Sequence, residues 1–364
     1  MRLPILTMTM LAAFGVQAAA PQSGSGETDG YTLVWQELFD NGTLNRDRWN
    51  VEVVSRPANN ELQYYLDREE NVRVGDDGQG NGCLILTARR EDYGEKKFTS
   101  GRINSKEKVA FTHGKVEAAI KLPATANGLW PAFWMMGNDY DEVGWPRCGE
   151  IDIMEFGHQT GIRNNTQDRY FNGACHWGFY NEQNQYPNYA NSVTWDYSLQ
   201  DGEFHLFTCI WDDEYISMYC DLDRYPDREP YYRIGVTETG DDWGTGLYFH
   251  KPCFILFNVA VGGHFPGISR PEAVTALNDD NNQEASMYVN YVKVYQKTKD
   301  ITAPDNGDTE KEPSVPDVAI DTVAGDACDT PAEYFNLQGM PVSNPGAGTI
   351  VIERRGNSVR KIAL

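Results

Sequence analysis

The sequence has no long segment with the 3.6-residue period of a helix, and after its first twenty residues no apolar run long enough to cross a membrane. Its seven cysteines, at 83, 148, 175, 209, 220, 253 and 328, never fall into the close spacing of a metal site. Their odd number leaves at least one unpaired even in an oxidising compartment. Cys209 and Cys220 flank an expected hairpin, but counting outward from Asp212–Glu214 does not set them opposite each other. Most of the cysteines are therefore expected to be buried core thiols. Basic residues are also scarce: 31 Lys and Arg stand against 53 Asp and Glu, for a net charge of −22. Phosphate backbones and anionic lipid surfaces are held by Lys and Arg clusters, so this balance argues against nucleic acid and membrane partners. A neutral polymer remains compatible.

What the sequence does contain is aromatic side chains, 12% of the total, with nine Trp and twenty Tyr. Such rings suit flat ligands such as sugars, and they equally suit a β-rich core. Residues 1–20 run from Arg2 through the apolar stretch Leu3–Val16 to small residues ending at Ala20, the pattern of a secretory signal peptide. No cysteine follows to accept a lipid. We expect an exported product that is periplasmic, on the cell surface or extracellular, not inserted in a membrane, and monomeric. Residues 21–30 read as a flexible leader.

From 31 to 298 the pattern is one of short β-rich runs separated by Gly, Asn, Asp and Pro, among them Cys83–Ala88, Lys115–Lys121, Phe204–Trp211, Glu214–Cys220, Phe254–Val261 and Met287–Tyr295. Many short strands without intervening helices indicate an all-β, antiparallel two-sheet sandwich. One sheet can then offer a concave outer face across which a polymer lies. Residues 299–326 lack aromatics and are rich in acids, as a linker is. In 327–364, Glu333–Leu337, Thr349–Arg354 and Ser358–Ala363 alternate like three small strands of a basic β appendage, expected to serve export or anchoring.

The chain is organised around Cys148–Phe156, which sets three carboxylates, Glu150, Asp152 and Glu155, in an otherwise apolar run. In a strand Glu150 and Asp152 share a face and Glu155 points the other way. One residue bulged out near Met154 returns Glu155 to the carboxylate face. Crowding then raises at least one pKa, so that an acid and a carboxylate coexist near neutral pH. Glycosidic bond cleavage needs that division. A surface strand of alternating acids would carry more polar residues between them, and a hard-cation site would sit on a turn-bearing loop.

Glu150–Glu155 (EIDIME) resembles the bulged catalytic signature of glycoside hydrolase family 16. Trp35–Asp40 (WQELFD), Asn59–Tyr65 (NNELQYY), Gly101–Ile103 (GRI), Gly114–Glu117 (GKVE), Gly128–Trp134 (GLWPAFW), His176–Trp177 (HW) and Phe257–Gly263 (FNVAVGG) are similar to its laminarinase branch. The resemblance implies a concanavalin-like jelly-roll β-sandwich with an open concave cleft and a retaining mechanism. It makes Glu150 the nucleophile, Glu155 the general acid/base and Asp152 the residue that tunes them. It also implies an endo-acting enzyme on β-1,3-glucan of the laminarin type, with mixed β-1,3/1,4-glucan as a further substrate. A galactan hydrolase of the same family and a non-catalytic glucan-binding module are the alternatives. The tail is similar to C-terminal segments of exported Bacteroidetes proteins, which points to such a source.

Six further residues are candidates for binding β-glucan. Trp130 and Trp134 share a strand face, presenting two indole plates and keeping an N–H free to bond. Arg102 offers a donor fork to sugar hydroxyls or forms a structural ion pair. Asn59, next to Asn60, bonds hydroxyls or makes a turn. His176 is a donor near the acids or a core histidine. Trp145 lies on the Gly- and Asp-rich loop 137–149 that leads into the catalytic strand. No cofactor is expected. Relatives hold a structural calcium partly through an acid in the last strand, but Asn290 stands at the corresponding position here, which removes a formal charge and puts the ion in doubt.

Overall fold

The computed structural model describes residues 30–297 together with the strands Glu27–Thr28, Glu333–Phe335, Ile350–Arg355 and Ser358–Ala363. The expected signal peptide, most of the leader, the acidic linker and Cys328 lie outside the described residues. The chain divides into two compact units, Met1–Asp308 and Thr309–Leu364. In the smaller unit, Glu333–Phe335, Ile350–Arg355 and Ser358–Ala363 form one antiparallel sheet.

The larger unit is a sandwich of an eleven-stranded and an eight-stranded sheet. We number the six longer and central strands of the eight-stranded sheet in chain order: β1 (Arg102–Asn104), β2 (Leu129–Gly137), β3 (Glu150–Phe156), β4 (Tyr170–His176), β5 (Asn188–Thr194) and β6 (Cys253–Val261). They lie side by side in the order β5-β4-β3-β2-β6-β1. All five contacts are antiparallel. The carboxylate strand β3 is thus central, paired with a neighbour on each side.

Alternation along these strands sends one set of side chains into the space between the sheets. Phe133, Met135, Ile151, Phe156, Phe171 and Phe257 are fully buried there with Val116, Ala118, Phe207 and Cys209 of the facing sheet. Phe133 stacks on its cross-strand partner Phe257 at 4.8 Å, and Phe156 stacks on Phe171 at 5.1 Å. Stacked pairs of this kind add roughly 0.5–1.5 kcal/mol beyond the burial of their area. They fix the strand register on the core side, which is what sets the opposite face.

The antiparallel expectation has one exception. Gln63–Tyr65 pairs with Lys96–Ser100 in parallel, at the edge of the larger sheet. A parallel pair needs a long crossover, and the hairpin of Val72–Asp76 with Gly82–Tyr93 supplies it. Among the described residues the only α-helices are Tyr140–Val143 and Gln159–Asn164, in the connections on either side of β3. Loop 137–149 thus carries one short turn of helix. The six described cysteines are all buried and free. Cys209 faces Met218 and Cys220 faces Phe207, so the two are not opposed.

Candidate active site

The strand β3 follows the expected phase, and its neighbours show how. Against β2, Met136 pairs with Glu150, Trp134 with Asp152, Phe133 with Met154 and Ala132 with Glu155, so Ile153 is the additional residue. Against β4, His176 pairs with Glu150, Ala174 with Asp152 and Asn172 with Glu155, two steps on β4 answering three on β3. Ile153 and Met154 are both fully buried in the core. Two adjacent apolar side chains therefore turn inward, and the acid after them turns outward with Glu150 and Asp152. Gly157 ends the strand at φ +92°, where a Cβ would collide with the Leu129 carbonyl. Gly149 opens it at φ +77°. Both positions need a residue that tolerates the left-handed region.

Each outer carboxylate is held by an indole. Trp145 Nε1 donates to Glu150 Oε2 at 2.8 Å, and Trp130 Nε1 donates to Glu155 Oε1 at 2.9 Å. Asn172 Nδ2 donates to the other oxygen of Glu155, also at 2.9 Å. His176 Nε2 lies 3.4 Å from Asp152 Oδ2, and its Nδ1 lies 3.1 Å from the Tyr186 hydroxyl. Asp152 Oδ2 is buried with no hydrogen bond of its own. Trp145, Tyr180 and Tyr186 pack against one another beside His176, with Tyr186 edge to face on both other rings, forming an aromatic wall at the Glu150 end. At the Glu155 end Trp130 stacks on Phe265 at 4.7 Å.

The other residues expected at the site are placed differently. Arg102 is on the same sheet face, opposite Asn258, but its Nε pairs with Glu52 at 3.0 Å, and its guanidinium lies 4.8 Å from the Trp134 ring. The expectation of free indole N–H groups is corrected: Trp130 gives its proton to Glu155, and Trp134 gives its own to Asn258 Oδ1 at 2.8 Å. A buried N–H on a polar sheet face takes a protein acceptor where one is in reach. Asn59 and Asn60 both have left-handed backbones in an exposed turn, whose Asn59 carbonyl accepts from the His264 amide. Asn59 makes none of the hydrogen bonds to the carboxylates. At Asn290 the side-chain amide donates to the Gly82 carbonyl at 2.9 Å. Asn290 brings no carboxylate charge to a calcium ion at this position, which weakens such a site.

Asn172, Tyr186, Asn258 and Phe265 are absent from the sequence-level candidates. Asn172 could have been found, since it lies four residues before His176 in one strand and so shares its face.

Burial is the main electrostatic fact at the site. It pushes Glu150 up from 4.5 to about 8, with the Asp152 and Glu155 charges adding and His176 and the Trp145 N–H opposing. Burial also raises Asp152 well above its ordinary value, reinforced by Glu155. Glu155 is raised by burial against His176, Asn172 and Trp130. The trio therefore retains a proton in the neutral range while His176 and the indoles favour ionisation of the rest. A stability consequence follows. The folded trio, with Glu150 raised to about 8, keeps a proton that the unfolded chain loses above pH 4.5, so stability falls as pH rises through that window. Glu150→Gln has no proton to lose. Its melting temperature should match the native one below pH 4.5 and exceed it increasingly up to about pH 8, by roughly 2–4 °C per kcal/mol. Thermal melts across that range check the trend; a gap that shrinks with pH contradicts it.

Residues 48–231 match the family model described as Glycosyl hydrolases family 16. A β-glucanase of Rhodothermus marinus is 33% identical over 273 residues, covering 73% of this chain and 85% of that protein. The clotting factor G alpha subunit of Tachypleus tridentatus is 30% identical over 77% of this chain, and glucan endo-1,3-beta-glucosidase A1 of Niallia circulans is 29% identical over 74%. The chain spans only 36% and 38% of the lengths of those two proteins. Among solved structures, a family 16 glycoside hydrolase of Bacteroides ovatus, from a mixed-linkage glucan utilisation locus and in complex with a product, is 36% identical. It aligns with 72% of this chain and 100% of its own, at a TM-score of 0.62.

Proposed function

This chain belongs to family 16 of the glycosyl hydrolases, and on that footing we propose that it is an exported, monomeric endo-β-glucanase acting on β-1,3-glucan by a retaining mechanism. One observation carries the reading: the bulge at Ile153 sets Glu150, Asp152 and Glu155 on one open sheet face, with an indole N–H fixing each outer carboxylate. Retention asks for two carboxyl groups about 5–5.5 Å apart on one side of the scissile bond.

In the first step, from the protonation state that puts the trio's shared proton on Glu155, the Glu150 carboxylate attacks the anomeric carbon while Glu155 gives that proton to the departing glycosidic oxygen, leaving a glycosyl ester on Glu150. In the second, Glu155, now a carboxylate, takes a proton from water as that water attacks the same carbon and releases Glu150. Asp152 lies between the two and its charge favours the protonated form of Glu155 before the first step. His176 stabilises the negative charge that remains. No step needs a resident metal.

The names of the Niallia circulans and Rhodothermus marinus relatives support β-glucan as the substrate. Mixed-linkage β-1,3/1,4-glucan is the second reading, favoured by the similarity to the Bacteroides ovatus enzyme. Sulfated galactans fit less well, because Arg102 on this face is spent on Glu52. A pure binding module gains nothing from three buried carboxylates, whose burial opposes their ionisation. Export rests on the signal-like residues 1–20. No helix among the described residues is long and apolar enough to cross a membrane. Incubation with laminarin, barley β-glucan and agarose, followed by a reducing-end assay, tests the proposal. Release from laminarin or barley glucan and none from agarose is expected. Release from agarose alone, or tight laminarin binding without release, overturns it.

A further inference from the structure

We propose that Glu150, Asp152 and His176 also form a binding site for a divalent transition-metal ion of the zinc type, which competes with glucan for the cleft. Among the described residues these three form the one group of His, Cys, Asp and Glu whose ligand atoms all lie within 4.8 Å of one another. The set is one imidazole and two carboxylates. Nitrogen with oxygen suits zinc or copper, whereas calcium and magnesium prefer oxygen alone.

The geometry is close to what such an ion requires. Ligand bonds of about 2.0–2.1 Å put neighbouring ligand atoms of a tetrahedron roughly 3.3 Å apart. His176 Nε2 and Asp152 Oδ2 are already 3.4 Å apart. Asp152 Oδ2 is buried, has no hydrogen-bond partner and faces that nitrogen, so its lone pair is uncommitted. Glu150 is the cross-strand neighbour of His176 and completes a triangle with both. Glu150 and His176 are half-buried, which leaves the fourth position toward solvent.

The supporting shell is in place as well. A ligating histidine works best when its second nitrogen is hydrogen-bonded, because that bond fixes both tautomer and ring orientation. The Tyr186 hydroxyl, 3.1 Å from Nδ1, can accept from an Nδ1–H and so leaves the Nε2 lone pair for a metal. Trp145 fixes Glu150 in the same way, through one oxygen at 2.8 Å. An ion seated here occupies the lone pair with which Glu150 attacks the anomeric carbon. Inhibition competitive with substrate is the consequence, reversed by a chelator.

Calorimetric titration of the full, untagged chain with zinc chloride at a fixed pH above neutrality tests the inference independently of catalysis. Native protein should bind one ion. Glu155→Gln, in which all three ligands persist and turnover is lost, should bind it too. His176→Ala should weaken binding on the order of 100-fold, and the isosteric Tyr186→Phe about tenfold through its loss of orientation. A β-1,3-linked glucose tetramer should raise the apparent dissociation constant. The proposal is overturned by native protein that shows no one-to-one site, by His176→Ala or Tyr186→Phe variants that bind as tightly as the native chain, or by bound zinc indifferent to the tetramer. Because Glu155→Gln is read by heat and not by turnover, a wrong hydrolase assignment leaves this test standing.

Discussion

Glu150→Gln hydrolyses laminarin roughly 10⁴-fold more slowly than the native chain, about 5.4 kcal/mol of lost transition-state stabilisation, with glucan affinity unchanged. Gln keeps the size of Glu and still presents an oxygen to the Trp145 N–H, so the cleft keeps its shape. What it lacks is the charge that forms the bond to the anomeric carbon. Because no other group can supply that bond, changing the leaving group does not help. Glu155→Gln behaves differently. It loses about as much on laminarin, where the departing sugar oxygen needs a proton. On a dinitrophenyl β-glucoside oligomer the leaving group departs without one, so the first step survives and a glycosyl-enzyme accumulates. Azide, which needs no general base, then restores turnover and yields the β-glycosyl azide. Steady-state rates on both substrates, with and without azide, separate the two roles. Azide rescue of both variants to the same anomer contradicts the assignment.

Insertion of one alanine after Met154 abolishes hydrolysis, at least about 10³-fold, whereas deletion of Ile153 leaves it within about tenfold of native. The reasoning is one of parity. Native Glu155 is five residues after Glu150, an odd number, and reaches the same face because one residue is bulged. Without Ile153 the spacing is four, a regular strand keeps Glu155 outward, and its partners Ala132 and Asn172 are unchanged. With an inserted residue there are two ways to settle. If the bulge persists, Glu155 turns into the core. If the bulge is lost, Glu155 slides two positions along, roughly 6.6 Å, which is too far from Glu150 for retention. Reducing-end assays with thermal melts to confirm folding measure both arms. An inactive, well-folded Ile153 deletion would count against the phase argument as directly as an active insertion.

Much of this was legible in the residues themselves. Regular alternation in EIDIMEF breaks at the adjacent pair Ile153 and Met154, and both prove to be core. That irregularity is the bulge written in the sequence. Trp145 is likewise legible from its place on the loop that leads into β3, whereas the pairing of His176 with Glu150 shows only in the structure. What could not be read depends on which strands become neighbours. Arg102 meets Glu52 only because Asn50–Val51 pairs with β1, and Trp134 meets Asn258 only because β2 lies against β6. The indole protons were expected to face sugar for want of that information. Tyr186 and Phe265 come from connections with no period, so nothing marked them out from the other aromatics.

Retaining hydrolysis here requires Glu150 to bond the anomeric carbon while Glu155 acts on the same glycosidic bond. Trapping tests this most directly. A 2-deoxy-2-fluoro laminaribiosyl dinitrophenyl substrate forms the ester but hydrolyses it slowly, because fluorine opposes positive charge in the transition state. Proteolysis and mass spectrometry should locate the glycosyl group on the peptide containing Glu150, at that side chain. An adduct at Glu155 or Asp152, or no adduct from an enzyme that releases product of inverted configuration, would contradict it.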